Sequence, residues 1–370
     1  MKITITGQEG FIGYHLYNTL KYKYPSFILL DLKKKSFNDT SILDEIISSV
    51  DLIVHLAGVN RSENQNDILD KNLYLTQQLL DSIKRTKFKG KLIFASSIQC
   101  SDDNPYGISK RVSSEKFYNF SIKNDFTFIN LIIPNVFGPF CKPNYNSFIA
   151  TFCYNSLNDI PNIINDNKDI PLIYIDNLID KIIRIFSQDS NSEIFIKEDT
   201  KLEVEFIKKL VDDFKDTYIT NFNIPELDTE FKSNLFKTYH SYIDIDSYFP
   251  INHSLKSDER GSFIELIRSS TSSQVSFSNT NPSYERGNHF HTRKIERFSV
   301  IGGEAIIKIR KIGTDKVHSF KLSGKNPSFV DMKVWHTHSI ENIGNSNLIT
   351  VFWINEFYNE NDSDTFFEKV

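Results

Sequence analysis

The 370-residue chain is long enough for two domains of ordinary size, each with a core of its own. Hydrophobic residues at 39% and charged residues at 24% exclude a disordered chain, and a formal net charge of −4 gives no general attraction to nucleic acid or an acidic membrane surface. Three widely spaced cysteines, Cys100, Cys141 and Cys153, form no C-x-x-C pair, so a reducing cytoplasm is expected rather than a disulfide framework. The chain opens on a short apolar strand without the n- and h-regions of a signal peptide. No apolar run approaches the roughly 20 residues of a membrane span, which also points to the cytoplasm.

Short apolar runs alternate with helical stretches through the first part. "KITIT" (2–6), "FILLD" (27–31), "DLIVHLAG" (51–58), "KLIFASS" (91–97) and "FTFINLIIP" (126–134) read as strands, with helices expected at 11–22 and 72–85. That rhythm predicts an α/β domain with a doubly wound parallel sheet. "YIDNLIDKIIRIF" (174–186) is the clearest amphipathic helix of the region that follows. From about residue 251 the texture becomes β-rich, with "GSFIELI", "QVSFS", "RFSVIGGEAIIKIRKI", "VHSFKL" and "LITVFWI". An all-β barrel or sandwich is expected there, dividing the chain into 1–245 and 246–370.

"TGQEGFIG" places Gly7, Gly10 and Gly13 around Phe11 and Ile12, between the first strand and the first helix. Glycine there permits a tight turn, close approach of a pyrophosphate and close helix packing, and the helix N-terminus offers unpaired N–H groups. Asp31 ends the second strand, where an acid takes ribose hydroxyls and favours NAD; Lys33 and Lys34 follow, and such cations favour the 2′-phosphate of NADP or simply belong to a solvated loop. In "SSIQCSDDNPYGISK", Tyr106 and Lys110 stand at i and i+4 on one helical face, after Asn104 as N-cap and Pro105 as first helical residue. A lysine one turn away is expected to bring a phenol toward the range useful for proton transfer. Ser97, ending the preceding strand, is placed to hydrogen-bond a substrate carbonyl.

The glycine opening, Leu56-Ala57-Gly58 in "HLAG", Ser97 and Tyr106-x-x-x-Lys110 resemble the extended short-chain dehydrogenase/reductase family, which has a Rossmann fold and acts largely on nucleotide sugars. The resemblance implies Tyr106 as proton donor or acceptor, Lys110 as its tuner and ribose contact, and Ser97 as the carbonyl partner. It also implies that Asn135, in "PNVFGP" (134–139), approaches the substrate diphosphate.

In the second part, His289 and His291 alternate on one strand and Glu296 follows after a turn. "WHTHSIEN" supplies a third histidine, His336 or His338. Three imidazoles and a carboxylate suit zinc, and equally nickel, iron or manganese. The segment resembles the cupin (jelly-roll barrel) family in its His289-x-His291-x4-Glu296-x6-Gly303 and His338-x3-Asn342 spacing, and the resemblance favours His338 as fourth ligand. Cupins usually carry Pro-x-Gly before that histidine. Here Lys333 and Trp335 stand instead, so the turn is made without its usual glycine.

"VHLAGVNR", "DNPYG", "CKPNYNSFIATFCY", "DERGSF", "GNHFH" and "THSIEN" together resemble, end to end, the bifunctional capsular and O-antigen enzymes of the CapF type. That resemblance implies a zinc-bearing cupin that epimerises C3 of a UDP-2-acetamido-2,6-dideoxy-4-hexulose. The N-terminal domain would then reduce the C4 ketone with NADPH to UDP-2-acetamido-2,6-dideoxy-β-L-talose. It implies a homodimer, and it favours Lys33 and Lys34 as 2′-phosphate contacts. The alternatives are a single-activity nucleotide-sugar epimerase or dehydratase with a passive cupin, and a dinucleotide sensor without turnover.

Overall fold

The structure, a computed structural model, describes residues 1–64, 66–249, 251–269 and 273–370. It comprises two compact units. One is Met1–Asp212 with Thr229–Ile243, and the other is Asp213–Asp228 with Asp244–Val370.

In the first unit, strands β1 (Lys2–Thr6), β2 (Ile28–Leu30), β3 (Leu52–His55), β4 (Lys91–Ser97) and β5 (Thr127–Ile133) precede two short strands, β6 (Asn135–Phe137) and β7 (Asp169–Tyr174), then β8 (Ser192–Phe195) and β9 (Thr200–Glu203). The main sheet is parallel in the order β2-β1-β3-β4-β5-β8, and β6, β7 and β9 form a second small sheet. Helices α1 (Phe11–Lys23), α2 (Thr40–Ser48), α3 (Asn66–Thr86) and α4 (Pro105–Asn124) connect the strands. This is the doubly wound α/β architecture expected from the strand rhythm.

The apolar runs are continuous rather than alternating because the strands are buried on both faces: every residue of β3 is buried. Packed together against the sheet are Leu43 and Ile47 of α2, Leu79 and Ile83 of α3, Phe117 of α4, and Ile53, Leu92, Phe94 and Phe128 of the strands. Truncating one such phenylalanine to alanine costs about 3–5 kcal/mol. The start of α4 follows from its sequence. Asn104 Oδ1 accepts from Gly107 N at 2.8 Å, and Pro105 occupies the first turn.

In the second unit, β10 (Leu255–Asp258), β11 (Gly261–Ser269), β12 (Ser273–Thr280), β13 (Glu285–Phe290), β14 (Glu296–Gly302), β15 (Glu304–Lys311), β16 (Val317–Ser323), β17 (Ser328–Met332), β18 (His336–Asn342), β19 (Leu348–Ile354) and β20 (Phe366–Phe367) build two antiparallel sheets. Their orders are β10-β11-β12-β19-β14-β17 and β16-β15-β18-β13-β20. Val300, Ala305, Ile307, Leu322, Met332, Ile340 and Leu348 form an apolar core.

β12 departs from hydrophobic-in alternation. It buries Gln274, Ser276, Ser278 and Thr280 and leaves Val275 and Phe277 half-buried. The polar row is internally satisfied in part: Gln274 Nε2 donates to Ser276 Oγ at 3.2 Å, and Arg286 Nε to Thr280 Oγ1 at 3.0 Å. A bulge in β13 between Gly287 and His289, with Asn288 at φ +57, resets the strand so that His289 pairs with His338 of β18. No helix among the described residues is long and apolar enough to cross a membrane.

Candidate functional site

The turn from β1 into α1 is built on glycine. Gly7 has φ +73, and a Cβ there would lie 2.9 Å from the Ala57 backbone. A Cβ on Gly13 would lie 2.1 Å from Gly7 O, so a larger residue at either position must move the loop. Gly10 N donates to Gly7 O at 2.9 Å and closes the turn. Gly10 is the N-cap of α1 and no side chain caps that helix, which leaves its first N–H groups for an anion. Gly7, Gly10, Phe11, Ile12, Gly13, Leu56 and Gly58 all border one cleft of about 440 Å³. Ala57 is tied beneath it by Ala57 N donating to Thr6 Oγ1 at 3.1 Å.

Asp31, Lys33 and Lys34 are exposed and lie beyond the lining of that cleft, just past β2. The Tyr17 hydroxyl hydrogen-bonds Asp31, and this bond, followed by burial and the carboxylate charge, holds the phenol above its ordinary value.

Ser97, Tyr106 and Lys110 border the same cleft. Ser97 Oγ accepts from Gln99 N at 3.2 Å and also hydrogen-bonds Tyr106. Lys110 Nζ lies 5.6 Å from the Tyr106 ring centroid and 4.9 Å from that of Phe94, and it donates to Ala95 O at 2.7 Å. Burial pushes the Lys110 ammonium down to about 8. Burial likewise pushes the Tyr106 phenol up to about 12, against the opposing bond from Ser97. The expected lowering by Lys110 is not what governs Tyr106 here. Desolvation is the larger effect, and the ammonium is engaged by the Ala95 carbonyl. His55, beneath the lysine, is driven to about 3 by burial and then by the Lys110 charge, so it is a neutral packing group bonded to Thr6 Oγ1 at 2.7 Å.

Asn135 reaches the cleft from β6, with Nδ2 donating to Pro171 O at 3.2 Å. Beside it the loop after β6 contributes Lys142 and Tyr145, and Phe140 and Asn144 there take φ +67 and +55. Arg61 clamps that loop, donating to Asn144 O at 3.1 Å and Tyr145 O at 2.9 Å.

The sequence reading did not single out Asn72 of α3. Its Oδ1 accepts from Val59 N at 2.7 Å, and its Nδ2 donates to Val59 O at 2.8 Å and to Ser109 Oγ at 2.9 Å. One buried amide therefore joins the loop carrying Gly58 to the helix carrying Tyr106 and Lys110. The signal was an asparagine, followed one turn later by Thr76, on the buried face that also carries Ile68, Leu79 and Ile83.

In the second unit, His289, His291, Glu296 and His338 bring one ligand atom each within 4.8 Å of one another. His291 Nε2 and His338 Nε2 lie 3.5 and 3.2 Å from Glu296 Oε2. All three atoms are buried without a hydrogen-bond partner, which is costly unless a cation satisfies them. The donor set fits a divalent transition metal. His336 is outside the cluster, its Nδ1 2.9 Å from Val334 O.

Burial pushes the Glu296 carboxyl up, but the neighbouring imidazoles outweigh it and hold the group well below the usual carboxylate range. His289 is lowered to about 4, by burial first and then by His338. Burial also depresses His291, yet the Glu296 carboxylate reverses the balance and raises it.

The turn before His338 is made by Trp335 itself, which takes φ +58 where a glycine was missing. A left-handed tryptophan costs on the order of 1–3 kcal/mol. Trp335 N donates to His291 O at 2.7 Å, and its ring stacks on Phe290 with centroids 5.7 Å apart.

Comparison with known proteins follows the same division. The profile of the NAD dependent epimerase/dehydratase family matches residues 3–196, and that of the polysaccharide biosynthesis C-terminal domain matches residues 256–366. The chain is 31% identical over 370 residues to the UDP-2-acetamido-2,6-beta-L-arabino-hexul-4-ose reductase of Pseudomonas aeruginosa, covering 99% of this chain and 98% of that one. The crystal structure of the capsular polysaccharide assembling protein CapF from Staphylococcus aureus matches with a TM-score of 0.86 at 32% identity, with 100% of both chains covered. CapF with the inhibitor 3-isopropenyl-tropolone matches with a TM-score of 0.82 at 30% identity, again over 100% of both chains.

Proposed function

This chain belongs to the NAD dependent epimerase/dehydratase family, and along its whole length to the two-domain group of the Pseudomonas reductase and CapF; from that premise we propose a bifunctional nucleotide-sugar enzyme of capsule or O-antigen synthesis. Residues 246–370 invert C3 of a UDP-2-acetamido-2,6-dideoxy-4-hexulose. Residues 1–245 then reduce the C4 ketone with NADPH, and the product is UDP-2-acetamido-2,6-dideoxy-β-L-talose. A cytoplasmic homodimer is the proposed working form. The observation that carries the reading is the set Ser97, Tyr106 and Lys110 bordering one cleft with the glycine turn and Asn135.

NADPH, when bound, supplies the hydride. Gly7, Gly10 and Gly13 with the start of α1 would hold its pyrophosphate, Asp31 its ribose, and Lys33 and Lys34 its 2′-phosphate. Tyr106 keeps its proton at neutral pH because burial raises the phenol, and it gives that proton to the C4 oxygen as the oxygen becomes an alkoxide. Ser97 orients the same oxygen. Lys110, at 5.6 Å from the ring centroid, favours the phenolate left behind. Asn135 meets the substrate diphosphate.

The C3 proton is acidified by the adjacent C4 carbonyl, so inversion needs only its removal and return. His289, His291, Glu296 and His338 would hold zinc, whose Lewis acidity is the chemistry such a site supplies. Order follows from the chemistry: reduction removes the carbonyl that makes C3 exchangeable, so epimerisation comes first and reduction makes it permanent. Consumption of one NADPH per sugar would support this reading. Turnover of the sugar with no net NADPH loss would leave an epimerase or dehydratase in its place.

A further inference from the structure

The C-terminal segment 359–370 converges on the His/Glu cluster from three directions. His291 Nδ1 lies 2.6 Å from Asp364 O. A carbonyl only accepts, so Nδ1 carries a proton, and Nε2 is the ring nitrogen that faces Glu296 and would ligate a metal. The Asp364 side chain, on a residue only 6% exposed, accepts from Thr292 N at 3.1 Å, Thr292 Oγ1 at 2.6 Å, Arg293 N at 2.9 Å and Lys294 N at 3.3 Å. The turn between His291 and Glu296 is thus closed around one carboxylate. Asp364 takes φ +44, a conformation that Asp and Asn tolerate better than other residues with a Cβ.

The other two histidines are tied by the same segment. β20 pairs antiparallel with β13, Phe367 opposite His289 and Phe366 opposite Phe290, and Glu368 N donates to Asn288 O at 3.0 Å. Phe290 stacks with both Phe366 and Trp335. Thr337, next to His338, donates its hydroxyl to Glu368 O. Flanking these, Lys294 Nζ donates to Ser363 O at 2.7 Å, and Arg293 pairs with Asp362 at 2.7 Å. A plain edge strand would account for the pairing of β20. It would not account for four donors meeting on one buried carboxylate whose own carbonyl orients a ligand-type histidine.

We infer that segment 359–370 is a built part of the metal centre and that Asp364 is the positioning residue that sets His291 as a ligand. This rests on the reading of His289, His291, Glu296 and His338 as a metal site. The test uses the full-length protein and Asp364→Asn, which keeps the size and the left-handed tolerance but removes the charge and one acceptor oxygen. Each is loaded with Zn²⁺ and titrated against a chelator, and each is loaded with Co²⁺ for its visible spectrum, which reports the ligand set.

Asp364→Asn keeps the Asp364 carbonyl but loosens the turn that aims it at His291, so Zn²⁺ binding is expected to weaken by about 10-fold, the lower end of the effect of losing an outer partner of a ligating histidine, and the Co²⁺ bands to shift. NADPH binding should be unchanged. A chain ending at residue 358 should lose stable metal binding while still binding NADPH. The inference is overturned if Asp364→Asn matches the wild type in Zn²⁺ affinity and Co²⁺ spectrum, even with a lowered melting temperature. A wild-type protein that takes up neither ion overturns the metal reading itself and this inference with it, a result seen before any variant is compared.

Discussion

Replacing Tyr106 with phenylalanine removes one hydroxyl and leaves the ring, its packing and the Lys110 ammonium 5.6 Å from its centroid in place. Burial holds that phenol at about 12, so it is protonated throughout the neutral range and is the group bordering the cleft that is suited to give a proton to a C4 alkoxide. General acid catalysis by a positioned side chain contributes roughly 10²–10⁴-fold. Tyr106→Phe should therefore lower kcat for ketone reduction by that factor, or about 3–5 kcal/mol in the barrier. Removing a hydroxyl that hydrogen-bonds Ser97 should change folding stability by about 1 kcal/mol, far too little to explain the loss. The assay is NADPH oxidation with the 4-keto UDP-sugar, alongside NADPH binding followed by nicotinamide fluorescence. Binding should stay within about twofold, since no proposed cofactor contact depends on that hydroxyl alone. A variant that retains more than a tenth of wild-type kcat would refute the assignment, because water or Ser97 would then be protonating the product.

Two further predictions concern the groups behind that tyrosine. Asn72→Ala leaves both backbone groups of Val59 without their partner and should cost roughly 2–4 kcal/mol in urea unfolding, with a fall in kcat because Gly58 and α4 are no longer joined. An unchanged midpoint would remove Asn72 from the account. For Lys110, burial sets the folded value at about 8, below the ordinary lysine value of about 10.4. Between those values the unfolded chain binds more protons, so stability should rise with pH through that window, by up to about 3 kcal/mol, and fall again as pH drops through 8. Lys110→Met should abolish this rise and also turnover. Parallel pH–stability curves for the variant and wild type would contradict it.

How much of this could be read in the chain depended on how local the signal was. The parallel sheet was legible because strands such as Leu52–His55 are buried on both faces and so appear as unbroken apolar runs. Tyr106 and Lys110 were legible because four-residue spacing on a capped helix fixes their common face, and His289 and His291 because of their period-two spacing, although β13 ends at Phe290 and His291 lies just past it rather than on the strand. Distant contacts left no such trace. Arg61 reaches residues 83 and 84 positions away, and Asp364 closes a turn more than 70 positions earlier. Alternation alone would have turned Val275 and Phe277 inward on β12, whereas the structure buries Ser276 between them and Ser278 after them. The turn before His338 was legible as an anomaly, but not that Trp335 would itself take the left-handed conformation, held by His291 O and the Phe290 ring.

The central claim is that one chain inverts C3 and then reduces C4. Proton NMR of the product formed from the 4-keto UDP-sugar and NADPH in D₂O tests it most directly. Inversion followed by reduction gives a talo-configured sugar with deuterium at C3 and hydrogen delivered to C4. A reduced sugar that keeps its original hydrogen at C3 would contradict it, leaving a reductase beside a His/Glu cluster that does no epimerisation.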